Sequence, residues 1–99
     1  MIHVIVRIER ARAKHKKYTA IVRDSSKGRE RRVNFGDSRY QQFRDSTPLR
    51  LYSGKDRGDA KRRRAYFMRH SGVATKDAAV KKETLRGITP RLLSHMYLW

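Results

Sequence analysis

The excess of positive charge constrains this chain more than any other feature of its sequence. Its 99 residues include 26 Lys and Arg against 9 Asp and Glu, which gives a formal net charge of +17. Like charges at this density oppose a compact fold unless they are screened or paired. Such charge favours binding to a polyphosphate backbone, because each neutralised phosphate releases a condensed counterion. The charge therefore predicts a nucleic-acid-binding protein.

The apolar residues are few but clustered. They make up 37% of the chain and concentrate in the first 35 residues, around 40–52, at 65–68 and in the last fifteen. This distribution predicts a single small basic domain over 1–99 with a core of its own, rather than a disordered chain. The absence of cysteine excludes a disulfide framework and a thiolate zinc site, and it favours an intracellular or intravirion setting. Without an apolar run of about 18 residues, we expect no membrane partner.

Three segments in the first third of the chain predict β-strands. Residues 2–8 alternate in polarity, which predicts a strand with Ile2, Val4, Val6 and Ile8 on one face. Residues 18–23 and 29–35 are rich in β-branched and aromatic types, and Gly28 suits a turn with positive φ between them. Residues 10–17 are interpreted as a basic loop, with a continuing strand or a short helical turn as alternatives.

The rest of the chain predicts short helices. Residues 36–38 offer an N-cap for a helix that holds Tyr40 and Phe43 and is broken at 47–48. A second helix is predicted over 59–70, between an Asp59 cap and a Gly72 stop. Residues 73–87 are ambiguous, with helical composition at 78–82. Thr89 followed by proline predicts the start of a last helix, whose apolar face would contain Leu92, Leu93, Met96, Tyr97 and Trp99. The predicted fold is α+β: a small antiparallel sheet of about three strands with two or three short helices packed on it.

The run Lys61-Arg-Arg-Arg64 gives the second predicted helix a basic face. At about 100° per residue, Ala60, Phe67 and Met68 share one side. Arg62, Tyr66 and Arg69 share the opposite side, a stripe suited to phosphate contact and stacking. The alternative is a solvated face that pairs with Asp56 and Asp59, and the run also matches a nuclear localisation signal.

A second basic patch lies between the first two predicted strands. A flexible basic loop can follow a phosphate backbone or enter a minor groove, and arginine suits narrow A·T-rich grooves best, which favours Arg10 and Arg12. A solubilising loop is the alternative. The predicted nucleic-acid-binding residues of both patches are Arg10, Arg12, Lys14, Lys16, Lys17, Lys61, Arg62, Arg63, Arg64, Tyr66 and Arg69.

Signatures of enzymes and metal sites are missing from the sequence. The four histidines lack metal-ligand spacing, and His70 with Ser71 has no carboxylate nearby in sequence, so this pair is interpreted as a helix end. The segment Tyr97-Leu-Trp99 is interpreted as core, with a partner-docking face as the alternative. We therefore expect a protein that is not an enzyme and has no catalytic residues, metal or cofactor.

Five segments together carry a resemblance to a known family. In order they are Lys17-Tyr-Thr-Ala-Ile-Val, Val33-Asn-Phe-Gly36, Tyr40-Gln-Gln-Phe-Arg-Asp45, Arg62-Arg-Arg-Ala-Tyr-Phe-Met-Arg-His70 and Leu92-Leu-Ser-His-Met-Tyr-Leu-Trp99. Their order over residues 15–99 resembles the small basic proteins of nucleocytoplasmic large DNA viruses, a largely uncharacterised family. The chain departs from the family pattern at 94–97, has a longer basic stretch at 53–64 and carries an additional N-terminal strand. The resemblance implies a viral origin rather than an activity.

These observations predict a viral protein that binds double-stranded DNA, mainly through phosphates, with a preference for A·T-rich minor grooves. It would act in the host nucleus or the viral factory, or be packaged in the virion. The alternative is a virion structural protein, a minor capsid or genome-packaging component whose charge binds acidic capsid proteins. Acidic chromatin proteins are a further candidate partner, and a third interpretation is an RNA-binding or ribosome-associated protein.

Overall fold

A computed structural model describes residues 3–24 and 28–99 and confirms the α+β fold. Strands β1 (His3–Arg10), β2 (Lys16–Asp24) and β3 (Arg29–Asp37) form an antiparallel sheet in the order β1-β2-β3. A largely irregular segment follows, with one 3-10 turn at Ser53–Lys55. Three short helices complete the chain: α1 (Ala60–Ser71), α2 (Lys76–Thr84) and α3 (Pro90–Tyr97).

The predicted alternation along β1 is wrong because the strand contains a bulge. The pairing with β2 shifts between Ile5 and Arg7, and an extra residue at a bulge reverses which side chains face the core. Ile5 and Ile8 therefore pack against the core, whereas Val4 and Val6 are 48% and 37% exposed. Ile2, also placed on the inner face by the prediction, lies outside the described residues.

The hairpin of β2 and β3 carries most of the core. The strands pair without a break, and Gly28 has the predicted positive φ, at 67°, while the turn residues 25–27 lie outside the described part of the chain. Burial of the apolar face of this hairpin under α3 provides the main hydrophobic stabilisation. The central cluster consists of Tyr18, Ala20, Val22, Val33, Phe35, Leu93 and Leu98.

The helix predicted around Tyr40 and Phe43 does not form. Residues 38–52 follow turns and a single bridge between Gln42 and Asp56 instead. The reason is a buried carboxylate, Asp45, which accepts hydrogen bonds from the Tyr18 hydroxyl at 2.5 Å and from two backbone N–H groups at 3.0 Å. Side chains that satisfy backbone groups in this way replace the hydrogen bonds that a helix would make.

The ends of the helices lie where the caps predicted them. The Asp59 carboxylate accepts from the Arg62 N–H at 3.1 Å, Gly72 ends α1 in the left-handed conformation, and Thr89 caps α3. Helix α2 is longer than the predicted 78–82. Met68, predicted on the apolar side of α1, is 50% exposed, because the buried side of α1 narrows to Phe67 and Ser71. None of these helices is long and apolar enough to cross a membrane.

Candidate nucleic-acid interface

The exposed face of α1 holds cations that have no acidic partner among the described residues. Lys61, Arg62, Arg64 and Arg69 are exposed. The five ion pairs found in the described part of the chain use other cations, namely Arg7, Arg23, Arg32, Arg39 and Arg91. The sequence alternative, in which Asp56 and Asp59 neutralise this face, is therefore wrong. Asp59 caps the helix, and Asp56 accepts from the Gln42 side chain at 2.8 Å.

The predicted stripe of Arg62, Tyr66 and Arg69 lies along one wall of a groove of about 740 Å³. The groove runs between α1, α3 and the adjoining ends of β2 and β3. Besides the stripe, it is lined by Lys16, Lys17, Phe35, Gly36, Asp37, Tyr40, Gln41, His70, Pro90, Arg91, Ser94, Leu98 and Trp99. Hydrogen bonding joins two parts of its rim, since the Arg62 guanidinium donates to the Gln41 side-chain oxygen at 2.5 Å.

Positive charge dominates the groove. Its one acidic side chain among the described residues is Asp37, which accepts two hydrogen bonds from the Arg39 guanidinium at 3.0 and 2.8 Å. Those bonds hold the pKa of Asp37 well below its usual range, so the carboxylate stays ionised and paired with Arg39. The cations Arg62, Arg69 and Arg91 therefore present a net positive surface to anything that enters.

Aromatic rings form the apolar part of the same groove. Trp99 stacks on Tyr66 with ring centroids 4.2 Å apart and planes inclined by 6°. Tyr40 is 62% exposed as a residue, and the Arg39 guanidinium lies over its ring, 5.5 Å from the ring centre. Basic and aromatic side chains side by side are typical of surfaces that bind nucleic-acid strands.

Gly36 allows β3 to pack closely against Leu98 and Lys17 at the floor of the groove. Its φ of +77° suits glycine, and a Cβ added there would lie 2.8 Å from Leu98 and 3.1 Å from Lys17. Only a residue without a side chain lets β3 approach α3 so closely. The depth of the groove therefore depends on this glycine.

A buried polar chain supports the groove from behind Tyr66. The Tyr66 hydroxyl is 3.0 Å from His95 Nδ1, His95 Nε2 is 2.7 Å from Ser71 Oγ, and Ser71 Oγ donates to Glu83 Oε2 at 3.0 Å. Since Ser71 gives its proton to Glu83, it must accept from His95 Nε2–H, which leaves Nδ1 to accept from Tyr66. Burial lowers the pKa of His95 to about 4, consistent with this neutral tautomer.

Sequence reasoning missed this series of hydrogen-bonded side chains because the packing of three helices is what brings them together. The interpretation of His70 and Ser71 as a helix end is confirmed, since α1 ends at Ser71. Their partners are new: Ser71 bonds to His95, while the His70 and Tyr66 ring centroids lie 4.6 Å apart. The available signal was the spacing of His95, three residues after Leu92, which places it on the buried face of α3.

Lys17 contributes to the lining of the groove but is buried, contrary to its prediction as part of an exposed basic loop. It is 2% exposed, and its ammonium donates to the Tyr40 carbonyl at 3.0 Å and to the Gln42 side-chain oxygen. Burial lowers the pKa of Lys17 to about 8. Its strand position explains the change, because β2 begins at Lys16 and carries Lys17 under the segment that follows β3.

The other predicted residues of the 10–17 patch stay on the surface, but they lie in three different places. Arg10 and Arg12 line a smaller hollow of about 290 Å³ with Arg32, whereas Lys16 lines the groove beside α1. Lys14 is exposed in the turn between β1 and β2. On α1, Arg63 is half-buried with its guanidinium 4.6 Å from the Phe43 ring, so it contributes less to the exposed face than its neighbours.

Comparisons of this chain with protein-family models, with curated proteins and with solved structures found no match. Within residues 3–24 and 28–99, no group of three or more His, Cys, Asp or Glu side chains is placed to hold a metal ion.

Proposed function

We propose that this protein binds double-stranded DNA without catalysing a reaction, mainly by contacting phosphates. The observation that carries the proposal is the exposed face of α1, where Lys61, Arg62, Arg64 and Arg69 have no acidic partner among the described residues. Cations that are not already neutralised release the most counterions when they meet a phosphate backbone. Arg10 and Arg12, which line the smaller hollow, provide a second contact with the duplex.

The charges of the fold divide into two groups, which supports this assignment. Lys82 donates to the Ser71 carbonyl at 2.7 Å and Lys76 to the Met96 carbonyl at 3.0 Å, so both stabilise helix ends. Arg31 likewise donates to the Ile88 carbonyl at 3.0 Å. Among the described residues, the exposed cations of α1 make one such bond, from Arg62 to Gln41, and Arg63 packs on the Phe43 ring. Lys61, Arg64 and Arg69 are therefore available to a ligand.

We include a viral setting in the proposal only because the order of five sequence segments over residues 15–99 resembles a family of viral proteins. A DNA-binding protein of a large DNA virus would act in the host nucleus or viral factory, and following the tagged protein through infection tests this. The structural alternative, a virion component held by acidic capsid proteins, predicts retention in particles and little affinity for free DNA.

Duplex binding is tested by fluorescence anisotropy with a blunt, hairpin-closed duplex at increasing salt. With roughly six phosphates neutralised, the logarithm of affinity should fall against the logarithm of salt concentration with a slope of about −5. Replacing Arg62 and Arg69 together by Ala should make the slope shallower by about 2.

The matched control replaces Arg7 and Arg23 together by Ala. This variant loses the same formal charge, but both arginines are already paired, with Glu9 at 2.7 Å and Glu30 at 3.0 Å. We expect a smaller change of slope. A flat salt dependence or no binding at low salt would refute the proposal, and equal effects of the two variants would show that α1 is not the contact surface.

A further inference from the structure

The groove beside α1 has aromatic and apolar walls that a surface for binding duplex phosphates does not require. Contact with a duplex backbone needs outward-pointing cations, which α1 provides on its exposed face. The groove adds aromatic and apolar walls around about 740 Å³, a volume within the usual range of ligand cavities. Walls of this kind fit a planar, apolar group that carries negative charge beside it.

Tyr40 lines the groove, and hydrogen bonds hold its backbone in place. Its N–H donates to the Asp37 carbonyl at 3.1 Å, and its own carbonyl accepts from the Lys17 ammonium at 3.0 Å. Tyr40 as a whole is nevertheless 62% exposed. The Arg39 guanidinium lies over one face of its ring, 5.5 Å from the centroid, so a base would stack on the opposite face. A fixed backbone lowers the entropy lost on binding, and an exposed ring on such a backbone offers a stacking surface.

The charges around the ring match a nucleotide. Lys16, Arg62 and Arg69 line the groove, and Asp37 is engaged by Arg39. Arg91 also lines it, with its guanidinium 3.9 Å from the Glu83 carboxylate. An acidic peptide would satisfy these cations but would leave the Tyr40 ring without a use. The bases of an intact duplex are already stacked on one another, so the ring can reach only an unpaired base.

We propose that this groove binds an unpaired nucleotide of DNA, with its base stacked on Tyr40 and its phosphates against Arg62, Arg69 and Arg91. The proposal rests on the DNA binding proposed above and specifies its substrate: a duplex with a single-stranded end or gap. Base–aromatic stacking is tolerant of sequence, so the groove recognises the absence of pairing rather than a particular base.

Two DNAs of equal duplex length test the proposal, one blunt and hairpin-closed, the other with a six-nucleotide single-stranded overhang. We expect the overhang to raise affinity by about fivefold to a hundredfold, the contribution of one stacked base. Trp99, the one tryptophan of the chain, lies in the groove against Tyr66. Its fluorescence should therefore be quenched by the overhang more than by the blunt duplex.

Variants at one position separate stacking from charge. Tyr40→Ala should abolish the preference for the overhang and keep the affinity for the blunt duplex, whereas Tyr40→Phe, which keeps the ring, should retain the preference. The control Leu85→Ala removes another exposed apolar side chain, 88% exposed and outside the groove lining, and should change neither affinity.

The outcomes distinguish this proposal from duplex binding itself. Equal affinity for both DNAs would overturn the groove proposal while duplex binding stands. A preference that survives Tyr40→Ala would also overturn it. Failure to bind either DNA, with Trp99 quenched by polyglutamate, would overturn both proposals in favour of an acidic protein partner.

Discussion

Acidification from pH 7 to pH 4 should destabilise this protein through His95. The imidazole is 0% exposed, and burial lowers its pKa to about 4 from the ordinary value of 6.5. The unfolded chain therefore takes up a proton near pH 6.5, whereas the folded chain resists it until near pH 4. The stability due to neutral His95 is complete above pH 6.5 and is lost as the pH falls toward 4. At about 1.4 kcal/mol per pH unit, the free energy of unfolding should fall by about 3 kcal/mol.

The surroundings of His95 explain why its charged form is disfavoured. The titratable and charged groups that face it are Tyr66 and His70 from α1, Lys76 and Glu83 from α2, and Arg91 from α3. Glu83 favours the imidazolium, but burial outweighs it, and Lys76 and Arg91 oppose a further positive charge. A proton on Nδ1 would also meet the Tyr66 hydroxyl that now donates to that nitrogen.

The assay is urea unfolding at pH 7, 6, 5 and 4 and constant salt, followed by Trp99 fluorescence. Urea is preferred because guanidinium chloride would screen the net charge of +17. Asp37 and Asp45 have a pKa lowered from 3.8, so the stability that they contribute is lost only below this window. A loss of about 3 kcal/mol is a large part of the 5–15 kcal/mol usual for a folded domain, so the shift of the midpoint should be easy to measure.

The variant His95→Gln isolates the titrating group. Its amide N–H can still donate to Ser71, but it cannot titrate in this range. We expect it to be about 1–3 kcal/mol less stable than the wild type at pH 7, because the bond with Tyr66 is impaired. Between pH 6.5 and 4 its stability should fall less than that of the wild type, and the remaining loss comes from His70, whose pKa is also lowered by burial. Parallel pH curves for the two proteins would refute the reasoning and assign the acid sensitivity to overall charge repulsion.

Three further outcomes are expected. Gly36→Ala should cost more stability than Gly28→Ala, since both have positive φ but only Gly36 has atoms within 4 Å of an added Cβ; equal midpoints in urea would contradict this. Phe67→Ala should cost about 3–5 kcal/mol, because Phe67 is 1% exposed, and a loss below 1 kcal/mol would show that it is not a core residue. A·T-rich duplex should bind more tightly than G·C-rich duplex by about 1 kcal/mol, and Arg10→Ala with Arg12→Ala should remove the difference; equal wild-type affinities would leave phosphate contacts alone.

The elements that were predictable from sequence are those specified by neighbouring residues. The Asp59 cap, the Gly72 stop and the Thr89 cap act within a few residues of each helix end, so their side chains indicate the boundary directly. The pairing of β2 with β3 is similarly local, since only residues 25–28 separate the two strands in sequence. The face of α1 with Arg62, Tyr66 and Arg69 followed from helical periodicity alone.

The elements that were not predictable depend on residues far apart in the chain. Asp45 replaces a predicted helix with turns because it meets Tyr18, 27 residues earlier. The burial of Lys17 depends on Gln42, 25 residues later. The bulge in β1 is visible only in its pairing with β2. The groove also depends on residues far apart in the chain. Helix α1 supplies one wall, while Tyr40 precedes α1 in the sequence and Trp99 follows it.

The same excess of charge thus has two physical consequences in one small fold. Some cations stabilise the fold by donating hydrogen bonds to backbone carbonyls, as Lys17, Lys76 and Lys82 do. Those carbonyls would otherwise lack these hydrogen bonds. Where the carboxylates are used for caps and turns, as Asp59 and Asp45 are, the neighbouring arginines have no acidic partner within residues 3–24 and 28–99. The acidic residues therefore shape the chain, and the cations that they leave unneutralised on α1 create the surface that we propose for DNA.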